Sequence, residues 1–323
     1  MSRAFWNIFL KEFRDVVKSR YFLVLCATLV MVVTLSLVIS AIDFHAQQSD
    51  YQKYVASLQQ AGMTPQQPPP RLSPLRQLRA SIEYLEIIGA ILAIVIGYGM
   101  IAKEKHRGTL QLLFSRPLGS LDIAAGKVAA LAVTWFIVAV LLCLAVFVTM
   151  IFIGGAVLSA ADSVKLGLGM GDAWVYLMFW SVLSLGLASL TRQLSTALLI
   201  SFVVWLSVVL IIPQVGDTMD PDNQVPGGLF HSLHVDKTNE HAIMAHFNLY
   251  ETTRNALEET SISKHFERAS FAFLGVKEIY DQQPLAGIWS DTWKDSAWPL
   301  AGLFLGVVFA LTQCNKRNLL GRK

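Results

Sequence analysis

Charge is scarce in this chain, and so is cysteine. Only 15% of its 323 residues are Asp, Glu, Lys or Arg, against about 25% in a soluble domain. That deficit excludes an ordinary soluble fold, and a net charge of +3 leaves no basic patch for nucleic acid. The three cysteines, Cys26, Cys143 and Cys314, all lie in or at the end of apolar runs. They read as small buried hydrophobes, not as a disulfide framework or a metal site. Catalytic motifs are missing too: there is no HExxH and no GxSxG. The nearest approach to a phosphate loop runs from Gly119 to Gly126-Lys127-Val128. It has six residues between its glycines where a P-loop has four, and Val128 stands where Ser or Thr would hold magnesium. The chain is therefore not expected to be an enzyme, and any nucleotide hydrolysis must come from another subunit.

What the chain does have is hydrocarbon, at 54% hydrophobic residues. Residues 21–42 carry no charge over 22 positions, and none appears between Lys127 and Asp162. About 20 such residues cross a bilayer as a helix. The pattern predicts an all-α membrane protein with six transmembrane helices at 21–42, 83–102, 128–154, 173–190, 194–212 and 297–314. Only Thr191, Arg192 and Gln193 separate spans four and five, which forces an antiparallel hairpin. A Gly-rich loop is expected up to Asp172, between spans three and four.

Before the first span, residues 1–20 alternate Phe5, Trp6, Phe9, Leu10 and Phe13 with Lys11, Glu12, Arg14, Asp15, Lys18 and Arg20. This is an amphipathic helix suited to a membrane interface. Its length and its two acidic residues argue against a signal peptide, so the first span is expected to be an anchor. Fifteen of the 26 Lys and Arg fall in the N-terminal segment, the 103–127 loop, Arg192 and the 315–323 tail. Positive charge marks the cytoplasmic side. Both termini and the 103–127 loop are accordingly expected in the cytoplasm, and the protein in the cell (inner) membrane.

The opposite side would carry two polar segments. Residues 43–82 are Gln-rich and hold Pro65 and Pro68 to Pro70, predicting two short helices or coil around a stiff turn. Residues 213–296 form a longer segment with helical patterning at 239–260 and 264–274, Ser263 as N-cap and Gly275 as C-cap. Trp289, Trp293 and Trp298 resemble an interfacial belt ahead of span six. The histidines of this segment, His231, His234, His241, His246 and His265, lack a Cys partner and a regular spacing. They read as surface or packing residues; only His231 and His234, if helical, would share a face for a metal.

Two carboxylates open the second span. Glu86 is followed by 16 uncharged residues, and such groups are costly in a membrane and face a partner or a pathway. Glu83 has Arg79 one turn earlier, so a local ion pair at the interface is the competing account.

The 103–127 loop, KEKHRGTLQLLFSRPLGSLDIAAGK, mixes five basic residues with Leu110, Leu112, Leu113 and Phe114. Gly108 frees the chain after the second span, Thr109 can cap a short helix, and Pro117 with Gly119 end it. Leu110, Leu113 and Phe114 would then form one apolar stripe with a basic rim, a shape suited to docking. At Glu104, Arg107-Gly108-Thr109-Leu110, Leu112-Leu113, Ser115, Pro117, Ile123 and Gly126-Lys127 the sequence resembles the type 2 ABC transporter permeases. It is similar there to the permease of the nitrous-oxide-reductase maturation system, and Lys11-Glu12 with Asp15 to Arg20 look like that family's N-terminal helix.

The resemblance implies a dimerising permease subunit, expected as a homodimer in membrane lipid, paired with two copies of an ABC ATPase. ATP and Mg would sit on the ATPase, with no cofactor on this chain. The ATPase-docking residues would be Lys11, Glu12, Glu104, Arg107, Gly108, Thr109, Leu110, Leu113, Phe114 and Pro117, and the function export or transmembrane mechanical work. The long outer segment departs from compact members and suggests a periplasmic or extracellular partner. A non-transporting scaffold that binds such a partner is the alternative reading.

Overall fold

The computed structural model describes residues 3–60, 74–110, 119–152, 158–219, 229–233, 248–280 and 283–320, with single positions at 235, 239 and 243. Regular structure among them is entirely helical. Helix α1 (Arg3–Val17) precedes α2 (Arg20–Gln60), α3 (Leu75–Arg107), α4 (Ser120–Phe152), α5 (Ala160–Leu190) and α6 (Leu194–Gly216). Two shorter helices, α7 (Asn248–Glu259) and α8 (Ile262–Phe273), lead to α9 (Leu285–Gln313) and the terminal α10 (Lys316–Leu320). Six of these, α2 to α6 and α9, are long and apolar enough to cross a membrane. The chain is a multi-pass membrane protein.

Burial ranks the spans. In its most apolar window α5 is 72% buried and α3 67%, whereas α2, α6 and α9 are each 22% buried. Helix α5 is thus the central post, with α3 and α9 packed along it. The contact is close because small residues face it: a Cβ on Gly97 of α3 would lie 2.1 Å from the Ser181 carbonyl oxygen. A Cβ on Gly186 would meet the Phe309 ring of α9 at 2.4 Å. Hydroxyls then bridge the helices, Ser181 Oγ donating to the Ala93 carbonyl (3.0 Å) and Ser184 Oγ to that of Ile94 (2.7 Å). Trp135 Nε1 of α4 donates to Ser181 Oγ at 2.7 Å.

Several elements differ from the sequence expectation. Helix α2 does not stop near residue 42 but runs unbroken to Gln60. No Pro or Gly interrupts this stretch, and Gln47–Asp43 and Lys53–Asp50 contacts lie along its surface. The Gly-rich residues expected as a loop before Asp172 belong to α5, which starts at Ala160 behind a Ser159–Asp162 capping box. Helix α9 begins at Leu285, twelve residues before the apolar run, and carries Trp289, Trp293 and Trp298, each half-exposed. In α8 the N-cap is Ser261, whose hydroxyl accepts from the Lys264 N–H, not Ser263. Gly275 does follow the helix in a left-handed conformation, φ 62°.

Candidate functional site: a charged joint at the basic end of the bundle

Helix α1 lies along the first turns of α4 because of what faces it. Phe5, Ile8 and Val16 are buried, while Trp6 and Leu10 stay exposed. The Phe5, Phe9 and Phe13 rings stack in series. Opposite them is Gly126, where an added Cβ would come within 2.8 Å of Ile8 Cγ2 and 3.3 Å of the Phe9 backbone nitrogen. Only a residue without a side chain lets the two helices approach this far.

Four charges meet at that contact. Lys127 of α4, fully buried, reaches Glu12 of α1 at 2.9 Å and Glu104 of α3 at 3.0 Å. Its ammonium also donates to the Met100 carbonyl at 3.2 Å. Lys11 closes the ring from outside, 2.6 Å from Glu104 and 3.0 Å from Glu12. Burial alone would lower the Lys11 pKa, but the Glu12 and Glu104 carboxylates outweigh it and raise the group above the ordinary lysine value. The cluster is formally neutral and every member has at least two partners among the other charges and the backbone. A buried set like this holds only while it is complete, since removing one member leaves an uncompensated charge.

The end of α3 is fixed a second time. Lys105 Nζ donates to the carbonyls of Ala188 and Thr191, both at 2.7 Å, satisfying the C-terminus of α5. Helix α3 then stops at Gly108, whose φ of 64° an L side chain rarely adopts. The Thr109 N–H bonds back to the Glu104 carbonyl at 3.2 Å, as does its hydroxyl at 3.5 Å. Thr109 therefore closes the helix behind it; the short helix it was expected to cap lies, past Leu110, outside the described residues.

The predicted docking residues divide accordingly. Lys11, Glu12 and Glu104 do come together, but Glu12 and Glu104 are buried and face Lys127. Arg107, Gly108 and Thr109 are exposed at the end of α3. Leu110 is buried in the chain's own core and so is not part of an exposed stripe. Leu113, Phe114 and Pro117 lie outside the described residues. Sequence reading missed Lys127 as the centre of the cluster. The signal was there: a lone lysine followed by 34 uncharged residues must find carboxylates or leave the membrane.

The second pair of candidates sits at the other end of α3. Arg79 and Glu83 form the local pair expected of them, at 3.0 Å and exposed. Glu86 is separate and buried, in a widened turn over Leu85–Gly89, the kind of bulge that recurs at functional sites. Its backbone carbonyl accepts from Tyr176 at 3.0 Å, and its side chain faces Ser263, Lys264 and Glu267 of α8.

A family model described as ABC-2 family transporter protein matches residues 6–309. The chain belongs to that family. A search of curated proteins found no match. The match runs from α1 through α9, so every element that forms the charged joint lies within it. This ABC-2 protein is a transmembrane subunit of an ABC transporter, and its family implies an ABC ATPase as the partner. Lys127, which sits where the imperfect phosphate-loop pattern has its lysine, is engaged by Glu12 and Glu104 inside the bundle.

Proposed function

We propose that this ABC-2 subunit is an exporter-type permease whose basic end faces the cytoplasm. Two ATPase subunits would drive a homodimer of it, turning ATP hydrolysis into substrate export or mechanical work across the membrane. The observation that carries this reading is the charged joint of Lys11, Glu12, Glu104 and Lys127. It welds α1 to the ends of α3 and α4, the two spans that flank the 103–127 loop. A displacement delivered to α1 or to that loop would therefore move two spans together, and through Lys105 the central helix α5 as well. A flexible loop with no such anchor would absorb the same displacement.

In this reading α1 lies in the cytoplasmic membrane interface, and the stretch with Leu113, Phe114 and Pro117 is offered to the ATPase beside Arg107. The outer cap of α7 and α8 is free to hold an extracytoplasmic partner. The test is co-purification with the ATPase subunit. Leu113→Asp with Phe114→Asp is expected to abolish association while leaving membrane insertion intact; unchanged association sinks the docking role. A complex that assembles but shows no coupled ATPase activity would favour the scaffold reading.

A further inference from the structure

Beside the joint, α1, the start of α2 and the end of α3 enclose an open cleft of about 480 Å³. Its carboxylates Glu12 and Glu104 are already matched by Lys11 and Lys127. Four further cations line it, Lys18, Arg20, Lys103 and Arg107, against a single remaining acid, Asp15. Among the described residues none of the four is in an ion pair. A second cavity of about 180 Å³ lies between α2 and α3, walled by Phe22, Leu25, Val95, Ile96 and Gly99. The two adjoin, with Val16, Ser19, Tyr21, Met100 and Lys103 lining both. A cationic cleft thus lies beside an apolar groove between two membrane spans.

A soluble anion would satisfy the pocket and ignore the groove, and an apolar helix would do the reverse. A molecule with phosphate at one end and hydrocarbon at the other satisfies both. We propose that this is a binding site for one anionic phospholipid. Its headgroup phosphate lies among Lys18, Arg20 and Lys103, and an acyl chain lies in the groove past Gly99. Tyr21, largely exposed at the junction, sits where an interfacial aromatic would meet the headgroup level. Which leaflet supplies the lipid follows from the orientation proposed above; the site itself does not depend on it, nor on ATPase docking.

The test uses the purified full chain without any ATPase. Phosphatidylglycerol and phosphatidylcholine are offered in mixed nanodiscs, and the lipid that stays bound on release is read by native mass spectrometry. Phosphatidylglycerol should be retained about tenfold or more over phosphatidylcholine. The triple variant Lys18→Gln, Arg20→Gln, Lys103→Gln should lose that preference. Gly99→Leu should lose retention with the cations intact, since nothing lies within 4 Å of a Cβ there and the new side chain enters the groove. Equal retention of the two lipids by the unaltered chain, or a preference that survives either variant, overturns the proposal. So does thermal stabilisation by inorganic phosphate equal to that by short-chain phosphatidylglycerol, which would mark a free-anion site. Gly99→Leu breaking the dimer while lipid is retained would assign the groove to a second copy. Size-exclusion elution of each variant separates these outcomes from misfolding.

Discussion

The two ends of this bundle are held by different physics. At the basic end α1 is tied down by four paired charges, three of them buried and Lys127 fully enclosed. At the opposite end α8 is held mainly by apolar contact. Phe266 stacks on Tyr176 of α5 with 4.5 Å between ring centroids, and Phe271, Phe273 and Leu274 are buried. Its polar ties are dispersed along the helix, and they include an Arg268–Glu258 ion pair to α7. Ser261 Oγ donates to the Val208 carbonyl at 2.7 Å. His265 Nδ1 meets Asp295 at 2.7 Å and its ring stacks on Trp298. Ionic sets fail together when one member goes, whereas apolar packing is lost in increments. The joint is therefore all-or-none and the α8 contact graded.

The sharpest way to break that contrast is Lys127→Met. It leaves Glu12 and Glu104 with one half-exposed lysine between them, and the expected cost is about 3–5 kcal/mol. Thermal unfolding of the purified chain and protease access to α1 measure it. Adding Glu104→Gln to the same chain restores neutrality with the Lys11–Glu12 pair intact, so stability should partly return. Unfolding of Lys127→Met at the unaltered temperature would mean the cluster is not buried. Gly126→Val attacks the same contact sterically. Its Cβ would sit 2.8 Å from Ile8, so α1 must shift, at a cost of about 1–3 kcal/mol. Protease access to α1 should rise while the outer cap stays protected.

At the outer cap the expected losses are smaller and separable. Phe266→Leu keeps apolar volume in place and gives up the stacking on Tyr176, worth about 0.5–1.5 kcal/mol. Ser261→Ala removes the N-cap of α8 and the shorter of two hydroxyl bonds to the Val208 carbonyl, the other coming from Ser263, with a loss of about 1 kcal/mol. The two together should add, because no shared partner couples them. Strong non-additivity in a double-mutant cycle would show that the cap, too, behaves as one unit.

Much of this molecule was legible in the sequence, and the reasons for the rest are local. Six spans, the amphipathic α1 and the 191–193 hairpin follow from charge-free runs and helical spacing. Helix ends were harder. Gly167, Gly169 and Gly171 suggest a loop, yet the Ser159 cap and the packing of Gly169 on Leu274 keep them helical. Glu12 and Glu104 were recognisable as special but were assigned to an exposed face. Their partner Lys127 is 115 residues from Glu12, and no periodicity links positions on three helices. Leu110 carried the pattern of an exposed stripe, but burial is a tertiary property that a seven-residue pattern does not encode.

The smallest expected effect comes from the local ion pair one turn ahead of Glu86. Arg79 and Glu83 are both exposed and one turn apart, so Glu83→Gln should cost no more than about 0.5 kcal/mol. That small loss should vanish in raised salt, because exposed pairs are screened. Arg79→Gln should cost more than its partner's variant. The guanidinium also lies 5.8 Å from the centre of the Phe271 ring in α8, a contact worth about 0.5–1 kcal/mol that salt screens less completely. If the two variants instead lose equal stability at every salt concentration, Arg79 contributes only through Glu83, and α8 is held by its apolar face alone.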